Sequence, residues 1–401
     1  MPIESVAEKL KDPSRPTFLF GTVPPKEGTS EENARAICSM FAARSAVLAT
    51  DGFIVYDIQE EGGRTNLERP FPFRKTMDPS LYATFFLPVA GKPCVVYKSV
   101  VESDSKAFDA WLDKASKEHQ HEAFNFVGAP TSGVAFTGPT LPEAMRRAKN
   151  MNLSFGCVSI AERHMKKGAE DRNMLSKIDN GAEWFITQGV YEAAPTIKLI
   201  NDYSAACKQK GIIPKKVVLT FAPCGRKKTM TFIKWLGMQV SPETEERIFS
   251  AADPVGESIE LLSGVLSTIL EGTGGSGVPI GINVESLSIF KEEIDAAHVL
   301  FQKLQALLLD SRGSPWAVRW FLVTTVLELT EKKREREEEI VARLFNHREQ
   351  NIIKHITAHR NRLSFLVFDQ YYMLGVTLAG VAGILVGRYA IPFAGNFRQN
   401  K

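Results

Sequence analysis

The sequence predicts an α/β chain: a (β/α)8 TIM barrel, followed by a long helical region and one C-terminal transmembrane helix. Three observations predict it. Eight short apolar runs rich in Val, Ile and Phe occur before Asp310. Helix-patterned segments lie between them, and such alternation implies a parallel sheet with helical crossovers. Residues 370–387 contain no charged side chain, and a spanning helix needs ~20 residues to cross ~30 Å of hydrocarbon.

Strands are expected at 17–20, 53–58, 94–100, 124–128, 155–160, 184–187, 217–221 and 280–284. Helices are expected at 32–49, 107–118, 142–150, 171–180, 194–209, 227–237, 257–271 and 291–309. Eight strands with intervening helices fit a barrel in number and length. A doubly wound open sheet is the alternative. It usually carries a Gly-rich first turn, and Gly21-Thr22-Val23-Pro24 is not G-x-G-x-x-G. The boundaries are then 1–16 for an N-terminal extension, 17–310 for the barrel, 315–368 for a helical stalk, 370–387 for the membrane helix and 388–401 for a short basic tail.

Bulk properties narrow the function classes. The formal net charge of +3 is too balanced for nucleic-acid binding by bulk charge. Cys38, Cys94, Cys157, Cys207 and Cys224 show no C-x-x-C spacing. That argues against a disulfide framework or a zinc site and for a reducing compartment. The first sixteen residues lack the apolar core of a secretory signal.

Within the apolar span, Gly375, Ala379, Gly383 and Gly387 recur at four-residue spacing. They put small side chains on one helix face, where a partner helix or a second copy can approach closely. The alternative is that glycine is simply common in membrane helices. With no N-terminal signal, the layout is that of a tail anchor with the barrel in the cytosol. The basic tail, with Arg388, Arg398 and Lys401, favours a mitochondrial membrane over the endoplasmic reticulum. The mixed-charge run 331–339 reads as a solvated helix face or short coiled coil. His355 and His359 stand four apart without an H-E-x-x-H motif, so no metal site is assigned.

In a barrel, chemistry sits at the C-terminal strand ends. Those positions hold Asp57, Gln59 and Glu60 after strand 2, Glu162, Arg163 and His164 after strand 5, Gln188 after strand 6, and Asn283 and Glu285 at strand 8. Arg226, Lys227 and Lys228 begin a helix, where N–H groups and cations suit a phosphate or carboxylate; a helix start with solvated bases is the alternative. Cys224 is a nucleophile only if a base lies beside it.

Residues 160–164 (IAERH), 175–182 (LSKIDNGA) and 185–188 (FITQ) resemble, in order and spacing, motifs of the methylenetetrahydrofolate reductase family. The resemblance extends over roughly residues 15–310. It implies a barrel that uses FAD to pass a hydride from NAD(P)H to methylenetetrahydrofolate, giving 5-methyltetrahydrofolate. By this resemblance His164, Glu170 and Lys177 lie near the flavin, and Gln188 contacts the folate. Two family carboxylates are missing: Gly21 stands where strand 1 carries a Glu, and 127–130 (VGAP) stands where strand 4 carries an Asp. Asp57 and Glu60 are the expected replacement acids. A catalytically silent barrel, serving as scaffold or accessory subunit of a membrane complex, is the alternative.

Overall fold

The computed structural model describes residues 4–58, 68–129 and 136–312. Every expected apolar run forms a strand: β1 (Phe18–Thr22), β2 (Gly52–Val55), β3 (Cys94–Ser99), β4 (Ala123–Val127), β5 (Ser154–Ser159), β6 (Trp184–Gly189), β7 (Lys216–Phe221) and β8 (Ile280–Val284). Each pairs in parallel with the next, and β8 returns to β1 to close an eight-stranded barrel. Strands β7 and β8 are buried along their whole length, as strands covered on both faces must be. The expected barrel is therefore present. Strand β2 ends at Val55 rather than at 58. Beyond it the Asp57 carboxylate, not backbone, accepts the N–H of Ser99 at 2.9 Å.

The helices in chain order are α1 (Val6–Lys11), α2 (Glu31–Ser45), α3 (Pro79–Ala83), α4 (Phe86–Ala90), α5 (Ser105–Asp113), α6 (Leu141–Asn150), α7 (Ala161–Lys167), α8 (Glu170–Asp179), α9 (Ala193–Lys210), α10 (Lys227–Trp235), α11 (Pro242–Ser250), α12 (Pro254–Thr273) and α13 (Lys291–Asp310). Several of their starts carry side-chain caps. Asp104 accepts from Lys106 and Ala107, and Thr140 with Glu143 forms a capping box. Gly168 and Gly211 end α7 and α9 in the left-handed conformation. Helices α1, α3, α4, α7 and α11 go beyond the sequence expectation; most span too few turns for apolar periodicity to be read.

Helix α1 closes one end of the barrel. Val6, Ala7 and Leu10 pack onto inward-facing Leu19, Ile54, Val95 and Val218. The helix is tied to strand starts by Lys9–Asp51 at 2.7 Å and Lys11–Ser154 at 3.3 Å. Buried Lys216 donates to the carbonyl of Lys9 and to Thr17 Oγ1. The opposite end, where the strands finish, is left for a ligand.

Glu60, the stalk 315–368, the apolar segment 370–387 and its small-residue face lie outside the described residues. Among the described residues no helix is long and apolar enough to cross a membrane.

Candidate functional site

The strand ends open into a cavity of about 520 Å³, within the ~300–1,000 Å³ range of small-molecule sites. Its wall mixes Phe126, Leu141, Met145, Val158, Leu236 and Met238 with a few polar groups.

Glu285 follows β8 directly and is 9% exposed. Burial pushes its carboxyl up to about 7, against the pull of a hydrogen bond with Tyr56. The Tyr56 hydroxyl in turn accepts from Asn283 Nδ2 at 2.9 Å. Burial and the nearby Glu285 charge hold the Tyr56 phenol well above its ordinary range. Tyr97 packs edge-on to Tyr56, ring centroids 4.7 Å apart. The β1–β8 register pairs Phe20 with Val284, so Gly21 stands beside Glu285. A Cβ there would lie 2.8 Å from Tyr56 Cε2 and 3.0 Å from Glu285 Cβ. The position must be glycine because Tyr56 and Glu285 already fill the space.

Three of the other four cavity charges are committed to partners. Asp57 lines the cavity, pairs with Lys98 at 3.2 Å and accepts from Ser99 N–H. Burial still raises its carboxyl, against the lowering effect of Lys98. Lys177 Nζ reaches Glu170 at 3.2 Å and the Val158 carbonyl at 2.7 Å. Glu170 also accepts from Asn173 at 3.1 Å. Gln188 lines the cavity, but its Nε2 is held by the Leu236 carbonyl at 2.5 Å. Arg163 lines the cavity from α7 and, among the described residues, has no acidic partner.

Thus Asp57, Gln188, Glu170 and Lys177 meet at one cavity. His164 does not. It is 2% exposed, and its Nε2 lies 2.7 Å from Asp202 on α9. Helix α7 turns it away from the strand ends toward a neighbouring helix. Residues 162–164 belong to α7, where successive side chains face different ways.

Two further expectations are corrected. The α10 N-terminus is already occupied, because buried Glu293 accepts from the N–H groups of Gly225 at 2.7 Å and Arg226 at 3.0 Å. It is therefore no open phosphate site. Cys224 is fully buried and burial pushes its thiol up to about 12, which removes it as a nucleophile. The residue that sequence reading undervalued is Glu285. The signal was there, an acid just past strand 8, but nothing in the sequence shows that it has no cation beside it.

No family model matches the chain, and no curated protein matches it. Among solved structures, an uncharacterized protein from Clostridium thermocellum is similar at 28% identity and a TM-score of 0.63, over 74% of this chain and 98% of its own. That protein binds two copies of 5-methyl-5,6,7,8-tetrahydrofolic acid. A GH113 β-1,4-mannanase matches at 12% identity and a TM-score of 0.40, over 72% of this chain and 98% of its own. A 2,3-dimethylmalate lyase matches at 10% and 0.38, over 82% and 99%. At these scores neither of the latter two bears on the site.

Proposed function

We propose that the barrel binds a reduced folate in the cavity at its C-terminal strand ends. The observation that carries this reading is the cavity itself, with an uncompensated buried carboxyl at its floor, apolar walls and the cation Arg163 on its lining. These suit, in turn, a pterin, an aminobenzoyl ring and a glutamate tail. The similar Clostridium protein, which binds 5-methyltetrahydrofolate, supports the same reading. Calorimetry with 5-methyltetrahydrofolate tests it. Saturable binding weakened about tenfold by Arg163→Glu is expected; no binding by the wild-type protein sinks the proposal.

A second reading has the bound folate reduced. The resemblance of 159–188 to methylenetetrahydrofolate reductases supports it, as does Gln188 on the cavity wall. The reaction would place a hydride from NAD(P)H on the methylene carbon and a proton on N10, opening the ring to 5-methyltetrahydrofolate. The residues do not fit FAD. Among the described residues the cavity wall carries three acids, Asp57, Glu170 and Glu285, against two cations, Arg163 and Lys177. Lys177 is already neutralised by Glu170 and His164 points elsewhere, so a pyrophosphate meets little counter-charge. NAD(P)H oxidation with methylenetetrahydrofolate, with and without added FAD, is the assay. No turnover in either leaves a silent folate-binding barrel.

We also propose that the uncharged segment 370–387 anchors the protein to a membrane, the mitochondrial one before the endoplasmic reticulum. Its small-residue face would then meet a partner helix or a second copy. Release of the full chain by alkaline carbonate would count against the anchor.

A further inference from the structure

The cavity holds three carboxyl groups in two electrostatic situations. Glu170 has Lys177 at 3.2 Å, and Asp57 has Lys98 at 3.2 Å. Glu285 instead has the Tyr56 hydroxyl beside it. The titratable groups that feel its charge are Tyr56 after β2, Tyr97 on β3 and Tyr191 after β6. Asn283 on its own strand reaches it through the Tyr56 hydroxyl. Among the described residues no cation lies against it. A buried carboxylate without a counter-charge costs several kcal/mol, so this group awaits either a proton or a donor-bearing ligand.

The surroundings fix its direction. Gly21 allows Tyr56 and Glu285 to sit together at the strand-1 end. The Tyr56 hydroxyl lies against the carboxyl, and Asn283 Nδ2 donates to the phenol oxygen. The carboxyl lines the cavity.

We propose that Glu285, oriented by Tyr56, is the group that reads the pyrimidine edge of the bound reduced pterin. The 2-amino group and N3–H of a 2-amino-4-oxopyrimidine are adjacent donors. Two carboxylate oxygens accept both in a bidentate pair, the strong form of a charge-assisted hydrogen bond. The assignment rests on the reduced-folate reading and deepens it: the cavity selects ligands with a donor–donor edge. It also places this acid on strand 8, whereas the resemblance expects its carboxylates on strands 1 and 4.

The test is binding of 5-methyltetrahydrofolate and of its 2-desamino analogue to the full chain, in the wild type, Glu285→Gln and Tyr56→Phe. The wild type should prefer the 2-amino ligand by about tenfold or more. Glu285→Gln should weaken that ligand by a similar factor and bring the two ligands close together. Tyr56→Phe should give an intermediate loss. Wild-type affinity should fall as pH drops from about 8 to about 6, because the carboxylate is the binding form, and this dependence should be absent in Glu285→Gln. If that variant does not fold, the wild type's analogue preference and pH profile decide alone. Unchanged affinity and preference in Glu285→Gln, or no wild-type preference, overturn the assignment and leave the folate reading standing. No folate binding by the wild type overturns both.

Discussion

Gly21 and Tyr56 share one volume: a Cβ on the glycine would stand 2.8 Å from Tyr56 Cε2. At Gly21, where the resemblance expects a carboxylate, the space is filled by Tyr56 and Glu285. Gly21→Glu, which restores the acid expected from the resemblance, should not restore function. Overpacking of this kind costs ~1–3 kcal/mol. Thermal melts should show lower stability, and calorimetry weaker folate binding. A stable variant with better binding would refute the crowding argument.

Glu285 gives stability a pH dependence of known sign. Its carboxyl sits at about 7 in the fold against an ordinary 4.5. The folded state therefore keeps the proton longer. The associated stability is full below about 4.5 and is lost as pH rises through about 7, on the order of 3 kcal/mol in all. Denaturation of the wild type and Glu285→Gln across that window isolates the effect, because Asp57, also raised by burial, is common to both. The wild type should weaken relative to the variant as pH rises. Parallel curves would show that the carboxyl titrates normally.

His164 should behave as a structural residue. Its ring joins α7 to Asp202 on α9. The Asp202 carboxyl is held below its ordinary range by Lys198 first and by His164 second. His164→Asn should cost ~1–3 kcal/mol in denaturant melts and leave folate affinity unchanged. A selective loss of affinity in a fully stable variant would return His164 to the site.

Lys177→Met should destabilise by ~3 kcal/mol, because it strands the buried Glu170 carboxylate without its cation. The double variant Lys177→Met/Glu170→Gln should recover part of that loss. Chemical denaturation of the three proteins measures it, and additive losses would show that the two side chains are not coupled.

Leu10→Ala on α1 tests the closed end of the barrel. The side chain is fully buried against strand interiors, so ~2–5 kcal/mol is expected. A surface-like effect below about 0.5 kcal/mol would mean that α1 is not part of the barrel core.

The barrel was legible in the sequence because its strands are short, largely buried apolar runs separated by periodic helices. Asp57 and Gln188 were legible as cavity residues because they follow strands, and strand order puts strand ends on one rim. Chain position alone determined this much, together with the uncharged segment 370–387. Side-chain direction and pairing needed the tertiary structure. Whether Lys177 is a counter-charge for a ligand or for Glu170 depends on a 3.2 Å contact between groups whose sequence separation says nothing of their rotamers. His164 left the site because residues 162–164 coil into α7. Glu285 entered it because β1, β2 and β8 bring a glycine, a phenol and an amide together there and, among the described residues, no cation. Burial and the absence of charge compensation are properties of neighbours in space, and only the closed barrel decides who those neighbours are.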